Sequence, residues 1–243
     1  MKLKTIMCLT LACLCVVTCE AQSRNRKSRS SREAAQDLMD SKVRISQMPS
    51  IGPQSLVEAP RLQAQGGLQP ITKGRRQWGV FDLTYRTQQR WTEDIIVNWH
   101  ILSDTSKAKQ KDKSKAAKRL PPYVYYTLTM RYVNIPEGDH RSCVCLPPSY
   151  IERYGEPVVI SCELVNSEGK VLHGGTVTSG FSHVAQGLYE DESKEKMQWW
   201  VKDEIINAKD KQGESLIEIR QGLVDRSKSP FYLVNNADYE AIQ

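Results

Sequence analysis

Recognisable catalytic signatures are missing from this 243-residue sequence. It holds no Gly-rich phosphate loop, no Gly-x-Ser-x-Gly elbow and no His-Glu-x-x-His pair, so the chemistries that depend on those local geometries have no foothold. Histidine is scarce, with four residues in all. His173 and His183 flank Gly174-Gly175 and Ser179-Gly180 and could act as acid, base or ligand; a lone His beside a turn reads first as a surface residue. No uncharged apolar run reaches the roughly 20 residues of a membrane helix. The acidic runs Glu190-Asp191-Glu192 and Asp203-Glu204 fall on a helix start and its exposed face, where dipole and solvent account for them.

The chain opens with Lys2 and Lys4, an uncharged apolar stretch from Thr5 to Cys19, and Ala21, the pattern of a signal peptide over residues 1–21. Cleavage after Ala21 is the first reading, lipidation at Cys19 the second (Thr18 before it fits poorly) and a retained anchor the third. Each places the protein outside the cytoplasm, in the periplasm, on the outer surface or secreted. Charge is unevenly spread. Residues 22–77 carry eleven basic against four acidic residues and 107–119 seven against one, whereas 120–243 carry twelve against eighteen. The basic pI thus belongs to a tail and one loop, which argues against nucleic-acid binding by the folded part.

Residues 22–77 are Arg/Ser-rich and then Gln/Pro/Gly-rich without lasting periodicity, and are expected to be a disordered basic tail or linker. Period-two alternation begins at Trp78. Phe81, Leu83 and Tyr85 share one face, as do Ile95, Val97, Trp99 and Ile101, and again Val124, Tyr126, Leu128, Met130 and Tyr132. Further strands are expected at 143–146, 157–165, 171–178, 215–221 and 231–235, with turn chemistry at 166–169 predicting a hairpin. Trp99, Leu128, Met130 and Ile160 are candidate core residues. Two helices interrupt the strands. A short one over 148–154 starts at proline and stops at Gly155, and a longer one runs from an N-cap at Ser193 to about residue 211, its Trp199 and Trp200 read as packing. The expectation is an all-β, immunoglobulin-like antiparallel β-sandwich over 78–243 with one short and one longer helix.

Lys107, Lys109, Lys111, Lys113, Lys115, Lys118 and Arg119 form an exposed Lys-rich loop over 107–119. It is either a solvated connection or a contact for an acidic partner or anionic surface. Without the signal segment three cysteines remain, Cys143, Cys145 and Cys162. In an oxidising compartment Cys162 is expected to bridge Cys143 or Cys145, with three buried thiols as the alternative. His140 completes a His-x-x-Cys-x-Cys cluster whose zinc reading is weak, because the spacing is irregular. No catalytic residue, cofactor site or metal site is assigned.

The segments Trp78-Gly-Val-Phe-Asp, Trp91-Thr-Glu-Asp-Ile-Ile-Val-Asn-Trp99 and the helix at Pro148, behind a signal and a basic tail, resemble the secreted immunoglobulin-like protein of the type IV pilus-like gene cluster of Akkermansia-type verrucomicrobial bacteria. The resemblance is one of layout over residues 78–243. It implies a sandwich domain, an envelope or surface location and association with pilus-like machinery, and it transfers no functional residue. The expected function is therefore that of an exported, non-enzymatic adhesion or assembly module. The alternative is an envelope hydrolase or carbohydrate-binding domain.

Overall fold

The computed structural model describes residues 43–59, 76–111, 119–180, 199–200 and 206–232. Two very long strands dominate them. The alternating segments at 81–85 and 95–102 belong to one strand, β3 (Gln77–Asp104), preceded by β1 (Val43–Gln47) and β2 (Leu56–Glu58). Likewise the segments at 124–132 and 143–146 are one strand, β4 (Tyr123–Leu146). β5 (Pro157–Val165), β6 (Val171–Ser179), β7 (Ile217–Arg220) and β8 (Val224–Asp225) follow, with helix α1 (Ser106–Lys111) before β4 and α2 (Pro148–Tyr154) after it.

All eight strands form one sheet in the order β6-β5-β3-β4-β7, with β1 and β2 on β3 and β8 on β4. The β3–β4 ladder runs from Gly79↔Leu146 to Asp104↔Tyr123. One irregularity divides it: the register jumps from Thr87↔Gly138 to Trp91↔Pro136, so residues 88–90 stand against 137 alone. Such a wide bulge bends a strand and re-aims its side chains. On the β4 side Asn134 (φ 53°) and Gly138 (φ 141°) take up the bend in left-handed backbone.

The bend folds the sheet onto itself. Phe81, Leu83, Tyr85, Val144 and Leu146 from one half meet Ile95, Val97, Trp99, Val124, Tyr126 and Met130 from the other in a single core that also takes in Ile160 and Cys162. Across that core Trp99 donates its indole N–H to Ser142 Oγ at 3.1 Å. The result is the all-β sandwich expected from the alternation, with both leaves carried by the same two strands. Trp99, Met130 and Ile160 are buried in it and Leu128 packs against it half-buried. The pairing is antiparallel throughout except for β4–β7, which is parallel.

Several expectations are corrected. The segment 22–77 is not tail throughout, since β1 pairs with β3 at Val43↔Thr87 and β2 at Leu56↔Gly79, and Val43 is buried in the core. The remainder of 1–42, including the signal segment, and residues 60–75 lie outside the described residues. The longer helix does not reach residue 211. Lys209 bridges Ser215 around a turn closed by Gly213 N–H to the Asp210 carbonyl, and most of 193–205 lies outside the described residues. In place of a strand at 231–235, Phe231 and Tyr232 form a turn after a short 3-10 helix, Arg226–Lys228, and 233–235 are outside. The short helix and the hairpin at 166–169 occur where expected. Gly155, at φ 89°, ends α2 by donating to the Ile151 carbonyl, and a side chain there would collide with the Asp104 carbonyl.

Candidate binding site

The bend that folds the sheet also opens a cleft of about 770 Å³. Its walls come from β1 (Ser46, Gln47), β3 (Thr84 to Arg86) and β4 (Tyr132 to Pro136 and Asp139 to Arg141). These strands converge there because β1 adds to β3 up to Thr87, where the regular ladder stops. Alternation then sets the faces. Tyr85 turns into the core and stacks on His140 at a centroid distance of 5.4 Å, while Arg86 points outward and lies 3.7 Å from Asp139. Burial pushes the Tyr85 phenol well above its ordinary pKa, so it enters the site neutral.

The polar groups at the bend hold it in place. The buried Thr87 hydroxyl donates to the Pro136 carbonyl at 2.6 Å, and His140 Nε2 lies 2.8 Å from the same carbonyl and 3.1 Å from Thr87 Oγ1. These bonds satisfy the Pro136 carbonyl at the edge of the bulge. Beside them Trp91, the ladder partner of Pro136, is 62% exposed.

A second polar cluster lies on the outer face of the other half. His100 Nδ1 sits 2.6 Å from the Tyr125 hydroxyl, and Nε2 is 3.8 Å from Glu163 Oε2, too long for a hydrogen bond. Trp200 stacks on the imidazole at 4.1 Å and 9°, and Trp199 donates to Ser161 Oγ at 2.8 Å. Burial holds the His100 pKa below its ordinary value against the opposing pull of Glu163. It also pushes the Tyr125 phenol up to about 12. The short contact with Tyr125 occupies Nδ1 and leaves Nε2 buried, facing Glu163 without a hydrogen bond. Stacked and covered, the cluster seals this face, in keeping with the packing role expected of Trp199 and Trp200.

The Lys-rich segment begins as α1, whose Ser106 N–H is accepted by Asp104 Oδ1 at 2.8 Å and whose Ala108 is buried. Lys107 pairs with Glu156 at 3.2 Å on the surface. Lys109, Lys111 and Arg119 are described; Lys113, Lys115 and Lys118 lie outside the described residues. The expected bridge from Cys162 is not made. All three thiols are free and buried. Cys162 belongs to the main core, whereas Cys143 and Cys145 pack on the opposite face with Trp78, Val80 and Phe231. Burial raises the Cys162 thiol well above its ordinary pKa, and raises Cys143 as well, with Cys145 beside it as the larger cause. The same alternation defeats the zinc cluster, because His140 and the two cysteines stand on opposite faces of β4. His173 lies within β6, and His183 is outside the described residues.

Neither the cleft nor the His100 cluster shows in the sequence pattern. Arg86 reads as an ordinary member of an alternating strand and His140 only as a neighbour of Cys143 and Cys145, and the bend places both along one cleft. The one available signal was Trp91, a large apolar side chain amid Thr87, Gln88, Gln89, Arg90 and Thr92.

No protein-family model and no curated protein matches the sequence. A crystal structure from Akkermansia muciniphila is similar in fold, with a TM-score of 0.54 at 16% identity, covering 83% of this chain and 94% of that one. At that identity the likeness speaks to the fold alone.

Proposed function

We propose that the protein is an exported, non-enzymatic adhesion or assembly module of a bacterial envelope, working beside pilus-like machinery. The observation that carries this reading is the use to which the cleft puts its titratable groups. His140 is tied to Pro136 and Thr87, and Asp139 faces Arg86. A general acid or base must be within reach of a substrate proton and oriented toward it. Here His140 braces the bend and Asp139 is turned to Arg86, while Trp91 faces solvent as recognition groups do. No described helix is long and apolar enough to cross a membrane, in keeping with a protein exported by a signal segment and not held by a helical span among these residues.

The test is fractionation and in-cell cross-linking of the tagged full chain. It should leave the cytoplasm and cross-link to envelope components, and Trp91→Ala should reduce that capture several-fold. Retention in the cytoplasm, or turnover of an envelope polymer by the purified chain, would overturn the proposal. Replacing Lys107, Lys109, Lys111, Lys113, Lys115, Lys118 and Arg119 with Gln tests the lysine segment as a second contact, whose share should fall as salt rises.

A further inference from the structure

We infer that the cleft at the bend is a binding site for an acidic polysaccharide, a glycan chain bearing carboxylate or sulfate groups. The inference rests on the adhesion reading and names its ligand. It begins with a cross-strand pair that the sheet would otherwise avoid. Arg44 of β1 stands directly opposite Arg86 of β3, and Arg86 in turn opposite Asp139 of β4. Like charges in directly opposed positions destabilise a sheet. One carboxylate faces two guanidinium groups in this row. Its contact with Arg86 is 3.7 Å long, between side chains 63% and 60% exposed, so it is solvated and weak. In the next row Gln47 and Arg141 flank Thr84. Arg141 and Asp139 are two residues apart on β4 and therefore share a face.

Arg86 and Arg141 thus line the cleft together with Asp139, and Arg44 stands next to Arg86 on β1, with exposed Glu137 nearby on β4. The planar fork of a guanidinium matches the paired oxygens of a carboxylate or sulfate group, and Arg surpasses Lys where that geometry matters. The remaining wall offers what sugar hydroxyls require. Ser46, Gln47 and Asn134 supply hydroxyl and amide groups, and Asn134 is held at φ 53°, a conformation that costs a non-glycine residue free energy. Trp91, paired across the strands with the cleft-lining Pro136, presents an exposed apolar ring of the kind on which the C–H face of a pyranose stacks. Arginines alone would suit any anion. Arginines, amides and an exposed indole around a concavity within the ~300–1,000 Å³ range of small-molecule sites suit a charged sugar.

The test uses the full mature chain and calorimetric titration with an oligogalacturonate tetramer, a heparin tetrasaccharide, a neutral cello-oligosaccharide and inorganic sulfate. At least one acidic oligosaccharide should bind ten-fold or more tightly than the neutral one, and sulfate should not compete at equal concentration. Paired Arg86→Gln and Arg141→Gln changes should weaken binding at least ten-fold, and Trp91→Ala several-fold, with unchanged melting temperature. Because the lysine segment and the Arg-rich residues 24–32 attract any polyanion, a variant with all seven basic residues of 107–119 changed to Gln serves as control and should bind within two-fold of the parent. Loss in that control with full binding by Trp91→Ala would overturn the site in favour of general polyanion attachment. Equal competition by sulfate would reduce it to a simple anion site, and tighter binding to anionic vesicles than to any oligosaccharide would reassign it to lipid; either result overturns the inference. Envelope cross-linking that persists with no oligosaccharide binding would overturn this inference alone and leave the adhesion reading standing.

Discussion

The two halves of the β3–β4 pair differ in their strand neighbours, with β1, β2 and β8 flanking the first and β5 and β7 the second, and in what covers their outer faces. Toward the start of β3 burial alternates residue by residue, with Phe81, Leu83 and Tyr85 inside and Asp82 and Arg86 exposed. Beyond the bulge the alternation persists to Asn98 and then gives way to continuous burial from Trp99 to Ser103, and β5 is buried along almost its whole length. The reason lies outside the pair. Leu102, Tyr125 and Val159 on the outer face of the second half are capped by Trp199 and Ile217, which arrive from far along the chain. The first half receives Phe231 over Cys143 and Cys145 at one end, and at the other keeps the arginine row in solvent. A strand buried on both faces serves stability, and a face left uncovered beside a bend is free for recognition.

That contrast can be tested by substitutions of decreasing effect. Trp99→Ala removes the side chain on which the two leaves converge and leaves Ser142 without its donor, so it should destabilise by about 3–5 kcal/mol in chemical unfolding. An effect under about 1 kcal/mol would mean that the leaves do not share one core. Trp199→Phe keeps the cap and removes one buried hydrogen bond to Ser161, and should cost roughly 1–2 kcal/mol.

A pH titration of the melting temperature should show a smaller effect from the same cap. His100 is buried and its folded pKa lies below the ordinary value of 6.5, so below that pH the unfolded chain binds the extra proton. Its contribution to stability is therefore complete above about pH 6.5 and is lost as the pH falls toward the folded value. His100→Gln should flatten this part of the profile, and an unchanged slope would place the titrating group elsewhere. Smallest of all, Arg86→Gln on the open face should alter stability by less than about 0.5 kcal/mol, since its partner is solvated. A larger loss would show that the arginine row supports the fold. Unfolding in a thiol reagent should label three cysteines in the mature chain, while the native protein reacts slowly because all three are buried.

The strands around Phe81, Trp99, Tyr126 and Ile160 were legible because each shows one apolar face at period two. Their fusion into two long strands was not, since Gln88, Gln89 and Arg90 read as a loop and prove to be a bulge within one strand. β1 and β2 were hidden for a related reason. Val43, Ile45 and Leu56 sit among polar and glycine residues, and their strand character comes from the β3 edge they complete. The cysteine expectation failed over distance: Cys162 and the Cys143–Cys145 pair lie on facing-away surfaces of different strands, which separation along the chain does not reveal.

By itself the sequence determined the fold class, the inward faces of the strands and the helix at Pro148, because period-two alternation and proline–glycine punctuation act over a few residues. Tertiary structure alone decided where the sheet bends, which outer face is covered and which side chains meet in the cleft. Those outcomes depend on pairings between residues such as Arg44 and Arg86 across two strands, or His100 and Trp200. Segments so far apart in the chain meet only once the sheet has closed on itself, and their free energy is not written in any local pattern.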